Sequence, residues 1–302
     1  MSPDDFVLAL RALDAPVFPD DHGVASPLGV EFTATTSDGR NVLVTQLSAA
    51  LNGRVTDPDA FVHTLKRAGY QGAGITESGQ LYFLELPPRG GSLAERLART
   101  GPVPAAELLA IARSAIDALA GAQPHGLITP STVRVAGDGS VSFRWPALAP
   151  ALRAAGVDAA TIAEQLDASL YFAPEVQRDK SFDVHSDIFA LGVTLYTALT
   201  GRPPFGGRTT ATMMAVVLAD DGAPATTVTG TLAAALLRAI EQEPADRWHD
   251  LGQFRNALGA PAAEARRAPD RPGAPRRRGC ARTAAIVALG GLVLWGVSKY
   301  IS

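Results

Sequence analysis

The chain has 302 residues, 47% of them apolar and 19% charged, with a formal net charge of −3. This is length enough for one large domain or two modest ones with substantial cores. The basic excess is concentrated between Arg266 and Arg282, so the part before it is acidic, which argues against a general nucleic-acid binder; a single cysteine, Cys280, excludes an intrachain disulfide or a thiolate metal cluster.

Residues 1–23 read as an N-terminal helix and its lead-in. Phe6, Leu10 and Leu13 share one face of Pro3–Leu13, and the acidic start (Asp4, Asp5) predicts no signal peptide. From 24 to 86 the pattern is of short strands. Val30–Ala34 and Asn41–Leu47 alternate about a Ser37-Asp-Gly-Arg turn, Leu81–Leu86 follows a Ser-Gly turn, and a helix over Asp59–Ala68 interrupts them. Residues 87–258 are mainly helical. Ser92-Leu-Ala-Glu is a capping box, Ala105–Ala122 is amphipathic, and Val133–Phe143 is a short hairpin around Asp138-Gly139. A helix capped by Ser186 or Asp187 runs through Ile188, Leu191, Leu195 and Leu199 to Gly201-Arg-Pro-Pro, apolar on nearly every face and so expected to be buried.

Residues 259–282, rich in Ala, Pro and Arg without apolar periodicity, predict a disordered linker. Residues 283–301 are apolar apart from Thr283 at the edge, Ser298 and Lys299, and nineteen residues at ~1.5 Å rise span roughly one hydrocarbon core, which predicts a single transmembrane helix. Arg276, Arg277, Arg278 and Arg282 should stay in the cytoplasm, keeping the globular part there as a tail-anchored protein of the inner or cell membrane, with Lys299 snorkelling to the far interface.

The stretch Tyr171–Phe205, with Ala173-Pro174-Glu175 and the buried helix after it, resembles the large lobe of a protein kinase of the bacterial Ser/Thr type, and the resemblance extends over roughly residues 24–258. It implies an α+β, two-lobed protein kinase-like fold: a small antiparallel-sheet lobe and a mainly helical large lobe, here followed by the transmembrane helix. It also implies roles for individual positions. Glu175 and Arg247 match a structural salt bridge, Asp187 a helix aspartate that braces the catalytic loop, and Glu85 with Gly90-Gly91-Ser92-Leu93 the connection between lobes.

Phosphoryl transfer needs a lysine on the phosphates, metal ligands and a base. At the matching positions stand Thr45 for the lysine, Leu127 for the base and Thr132 for the metal-binding asparagine in His125–Thr132, and Trp145 for the metal-binding aspartate in Trp145-Pro146-Ala147. The glycine-rich loop, Val24–Gly29, keeps only Gly29 and includes Pro27, which has no N–H. The helix that should carry a glutamate has none: Thr64 sits near the expected position, and Lys66 lies in the same stretch. A leucine accepts no proton and an indole holds no Mg²⁺. The expectation is therefore a pseudokinase: no catalytic residues, no cofactor, no metal, and service as a cytoplasmic scaffold for a protein partner, with an active kinase or its substrate as the candidate. The alternative is residual phosphotransfer with Mg·ATP, drawing on Glu85, Asp138 or Asp158. In the activation-segment equivalent, Thr161 and Ser169 read as ordinary loop hydroxyls, with phosphate acceptance from another kinase as the second reading.

Overall fold

The computed structural model describes residues 17–19, 23–36, 38–178, 181–204 and 227–259. The chain divides into two units, residues 1–268 and 269–302, and every described residue lies in the first. The expected N-terminal helix Pro3–Leu13, the linker beyond Gly259 and the transmembrane helix 283–301 lie outside the described residues; among those described, no helix is long and apolar enough to cross a membrane.

The small lobe is an antiparallel sheet. Strands β1 (Val17–Pro19) and β2 (Val24–Ser26) both pair with β3 (Gly29–Thr36); β3 pairs with β4 (Asn41–Leu47), β4 with β6 (Leu81–Glu85), and β6 with β5 (Gly72–Ile75) at the far edge. Between β4 and β5 lie the short α1 (Ala49–Asn52) and α2 (Pro58–Arg67), the latter capped by Asp57, whose side chain accepts the Ala60 N–H. Alternation sorts the strand residues onto two faces. Phe32, Val44 and Leu84 stand abreast and, with Ala34, Val42 and Tyr82, bury one face. On the other face Glu31, Thr45 and Phe83 form one row and Thr33, Leu43 and Glu85 the next. That face looks toward the main core, and it carries the site.

The large lobe begins with a small sheet of β7 (Gly91–Ser92), β8 (Val133–Val135) and β9 (Val141–Phe143), with α3 (Leu93–Thr100) and α4 (Ala105–Leu119) between its first two strands. Ser92 and Glu95 close the expected capping box at α3. Then follow α5 (Leu148–Ala154), α6 (Ala159–Gln165), α7 (Pro174–Gln177), α8 (Val184–Thr200), α9 (Thr227–Ala239) and α10 (Leu251–Ala257). Every residue of α8 from Ser186 to Thr200 is buried, as its apolar circumference requires. Its cap differs from the expected Ser186 or Asp187. Asp183 is the N-cap, exchanging hydrogen bonds with Ser186, which leaves Asp187 one turn inside and free to bond elsewhere. Gly201 closes the helix in the left-handed conformation (φ 74°).

Residues expected as a loop around Thr161 are instead helical. Leu148, Leu152, Val157 and Ile162 of this segment are buried in the main core, because its apolar residues recur at helical spacing. The segment also ties the lobes together. Helix α5 packs on α2, and the Ala155 carbonyl accepts the N–H groups of Thr56 (2.8 Å) and Asp57 (3.2 Å).

Candidate functional site

The loop His125–Thr132 hangs from α8. Asp187 accepts the backbone N–H of His125 at 2.6 Å and of Gly126 at 2.8 Å. Burial raises the Asp187 carboxyl to about 7, with the two N–H groups pulling the other way. Burial likewise pushes the His125 imidazole down to about 4, and its Nδ1 accepts the Leu127 N–H at 3.2 Å. The side chain of Leu127 is 1% exposed and belongs to the core. Thr132 is equally committed: its Oγ1 donates to the Leu127 carbonyl (2.9 Å) and accepts the Thr129 N–H (2.9 Å). The loop's polar capacity at this position is spent on its own backbone.

Trp145-Pro146-Ala147 follows β9. Trp145 and Ala147 both take positive φ (58°), a conformation costly for residues with a Cβ, and the Ala147 N–H donates to the His125 carbonyl at 3.0 Å. Trp145 is buried, and its Nε1 has no hydrogen-bond partner among the described residues. Thr45 is fully buried on the inner face of the sheet, its Oγ1 likewise without a partner there. Lys66 is exposed on the last turn of α2.

The place of the glycine-rich loop is a tight hairpin. Leu28 at its turn is fully buried, and its carbonyl accepts the Ser48 N–H at 2.6 Å. Gly29 (φ 148°) is needed there because a Cβ would lie 2.1 Å from the Gln46 carbonyl oxygen. The surviving glycine thus serves a close backbone approach.

Arg144, just before Trp145, escaped the reading of the sequence. Its guanidinium crosses from the large lobe to the inner face of the small sheet. There it binds Glu85 Oε1 through Nε (3.1 Å) and through a terminal nitrogen, and reaches Glu31 Oε1 at 3.2 Å. It also stacks on the Trp145 ring, 4.5 Å from the centroid. The three side chains are 10–15% exposed. Burial raises Glu85 above the usual carboxylate range against the pull of Arg144; burial also opposes the charge of Arg144, but the two carboxylates outweigh it and its pKa is raised. A cavity of about 200 Å³ lies alongside, lined by Tyr70, Gln71, Glu85, Leu86, Phe143 and Pro146. Beside the same ion pairs, burial and then the Glu85 charge push the Tyr70 hydroxyl well above the usual tyrosine value. The filling of this region is ionic, with the Trp145 ring stacked against the Arg144 guanidinium. Glu31 did leave a signal, a charge in register with Gly29 and Thr33 on alternate positions of β3, but nothing local joins it to a residue more than a hundred positions away.

The other acids are placed apart. Asp138 accepts the Ser140 N–H (2.9 Å) and hydroxyl (2.6 Å) in the β8–β9 turn, and Asp158 caps α6 through Thr161 (2.8 Å to N, 2.7 Å to Oγ1). These local donors hold both carboxyls below the usual range. Thr161 is thereby a capped helix residue, whereas Ser169 is exposed. Among the described residues no group of three or more His, Cys, Asp or Glu could hold a metal ion. Thr45, Leu127, Thr132 and Trp145 carry neither an ammonium nor a carboxylate, and the cationic group beside Thr45 and Trp145 is the Arg144 guanidinium, already paired with Glu85 and Glu31.

Glu175 and Arg247 meet in a forked pair (2.6 and 2.7 Å), and Arg247 also donates to the carbonyls of Glu241, His185 and Gln242, so all five of its N–H groups are used.

A family model described as "Protein tyrosine and serine/threonine kinase" matches residues 154–253. The chain is similar to the serine/threonine-protein kinase PknL of Mycobacterium tuberculosis, at 34% identity over 122 residues, 39% of this chain and 30% of that one. It is also similar to PknB of Mycolicibacterium smegmatis, at 27% identity over 196 residues, 62% of this chain and 31% of that one. The matches thus span about a third of the length of these curated relatives. In fold, the kinase domain of Mycobacterium tuberculosis PknI superposes with a TM-score of 0.57 at 20% identity, covering 78% of this chain and 91% of that one. Two lobes, a loop hung from a buried helix aspartate and a forked Glu175–Arg247 pair accord with these likenesses, which together support a protein kinase-like chain similar to the bacterial Ser/Thr type.

Proposed function

We propose that the chain is a pseudokinase, a kinase-like domain that has lost phosphotransfer and acts as a cytoplasmic binding platform. The observation that carries this reading is the Arg144 bridge to Glu85 and Glu31, lying beside Thr45 and Trp145 where the family pattern calls for nucleotide and metal contacts. Leu127 and Thr132 support it, the first because it has no group to take a proton, the second because its hydroxyl is already bonded within its own loop. A domain of this kind would present a surface to a protein partner, for which an active kinase or its substrate is the candidate. The apolar stretch 283–301 and its Arg-rich approach support a single membrane span with the domain on the cytoplasmic side.

Thermal unfolding of the full chain with and without Mg·ATP tests the reading. A ligand at 100 times its Kd would add about 2.7 kcal/mol of stability. The expected result is no Mg²⁺-dependent shift and no label transferred from ATP to any protein; a clear shift or transfer would overturn it. Fractionation of cells expressing the full chain, against one ending at residue 258, tests the span: only the full chain should sediment with membranes.

A further inference from the structure

We propose that the Glu31–Glu85 carboxylate pair is a guanidinium-binding site, and that its resident ligand is the chain's own Arg144. This rests on the reading of the cleft as nucleotide-free and names what occupies it. Glu31 on β3 and Glu85 at the end of β6 project from one face of the small sheet, with Thr45 of β4 in the row of Glu31. Two nearly buried carboxylates so close would repel unless a cation lay between them. Arg144 supplies it from the other lobe, and the requirement is for a guanidinium in particular. One donor edge must satisfy Glu85 through two nitrogens while a terminal nitrogen also reaches Glu31, and the flat face must lie on the Trp145 ring. A planar fork meets all three demands; a tetrahedral ammonium does not.

The bridge joins β3 and β6 of the small lobe to the residue that follows β9 in the large lobe. The same carboxylates disfavour the phosphates of a nucleotide by charge. The site is therefore selective for a cation of one shape and closed to the anion that the fold ordinarily serves.

Arg144→Ala removes the ligand and leaves a space with the outline of N-ethylguanidinium. In the full chain this variant should unfold at a lower temperature than wild type. N-ethylguanidinium, at concentrations far below those that denature, should raise the midpoint saturably and return the tryptophan emission toward wild type through the Trp145 stack. Ethylammonium at equal ionic strength should do neither. Wild type, with the site filled, and Arg144→Ala/Glu31→Gln/Glu85→Gln, with the receptor gone, should not respond. Should Arg144→Ala fail to fold alone, its refolding yield with each cation reads the same question. An equal response in the triple variant, an equal response to ethylammonium, or no rescue at all would overturn the proposal. Mg·ATP titrated in parallel separates the two readings: a shift in wild type would defeat the nucleotide-free reading, whereas loss of guanidinium rescue without such a shift would defeat only the inference drawn here.

Discussion

Asp187 and His125 are joined by a 2.6 Å hydrogen bond from the backbone of one to the carboxyl of the other, and their side chains are displaced in ways that cancel. Burial raises Asp187 from 3.8 to about 7, so the folded chain keeps a proton there that the unfolded chain releases. The stability from that proton is complete below 3.8 and is lost as pH rises toward 7. Burial lowers His125 from 6.5 to about 4, so the unfolded chain binds a proton that the folded chain refuses, and that contribution is complete above 6.5 and lost as pH falls toward 4. Between these limits each state carries one proton on the pair. The expected wild-type dependence from this pair is nearly flat over that window. Asp187→Asn should uncover stability that rises with pH, and His125→Phe stability that falls with pH, each by up to about 1.4 kcal/mol per unit. Urea denaturation at a series of pH values checks both slopes.

Thr45 and Thr132 are both buried threonines, yet the same substitution should affect them oppositely. The Thr45 hydroxyl has no partner among the described residues, so Thr45→Val should be neutral or stabilising by up to ~1 kcal/mol. Thr132→Val breaks the bonds to the Leu127 carbonyl and the Thr129 N–H and should cost about 1–3 kcal/mol. Denaturant midpoints of the two variants decide it.

Removing one partner of Glu175–Arg247 strands a buried charge. Glu175→Leu should cost about 3–5 kcal/mol, and Glu175→Leu/Arg247→Met should recover part of that loss, short of wild type because three carbonyls lose their donors. A double-mutant cycle in urea measures the recovery.

Gly156 follows the carbonyl that ties the two lobes. With φ at +90° and a would-be Cβ 2.0 Å from Thr56 Oγ1, Gly156→Ala meets both strain and a clash. The expected loss is about 1–3 kcal/mol. Hydrogen exchange should speed up first at the Thr56 and Asp57 amides that donate to Ala155.

Much of the fold was legible along the chain because it is written in local periodicity. Alternation in Val30–Ala34 and Asn41–Leu47, the Ser92–Glu95 capping box and the apolar circumference of α8 are each properties of a few neighbouring residues, and each folds as its pattern dictates. The cap of α8 moved to Asp183 because Asp187 has a stronger claim on it, the two N–H groups of a loop sixty residues upstream. The segment around Thr161 became helical because its alanines and leucines find a core supplied by other elements.

The candidate site divides along the same line. Residue identity at Thr45, Leu127, Thr132 and Trp145 states which chemical groups these positions lack, and no folding changes that. What stands among them depended on tertiary structure. Glu31, Glu85 and Arg144 lie on three strands or their ends, and only pairing of β3, β4 and β6 and closure of the second lobe bring their charges within hydrogen-bond reach. Short-range patterns reveal which face a residue takes. Coulomb attraction between residues distant in the chain has no local signature, because it exists only once the backbone has placed the charges side by side.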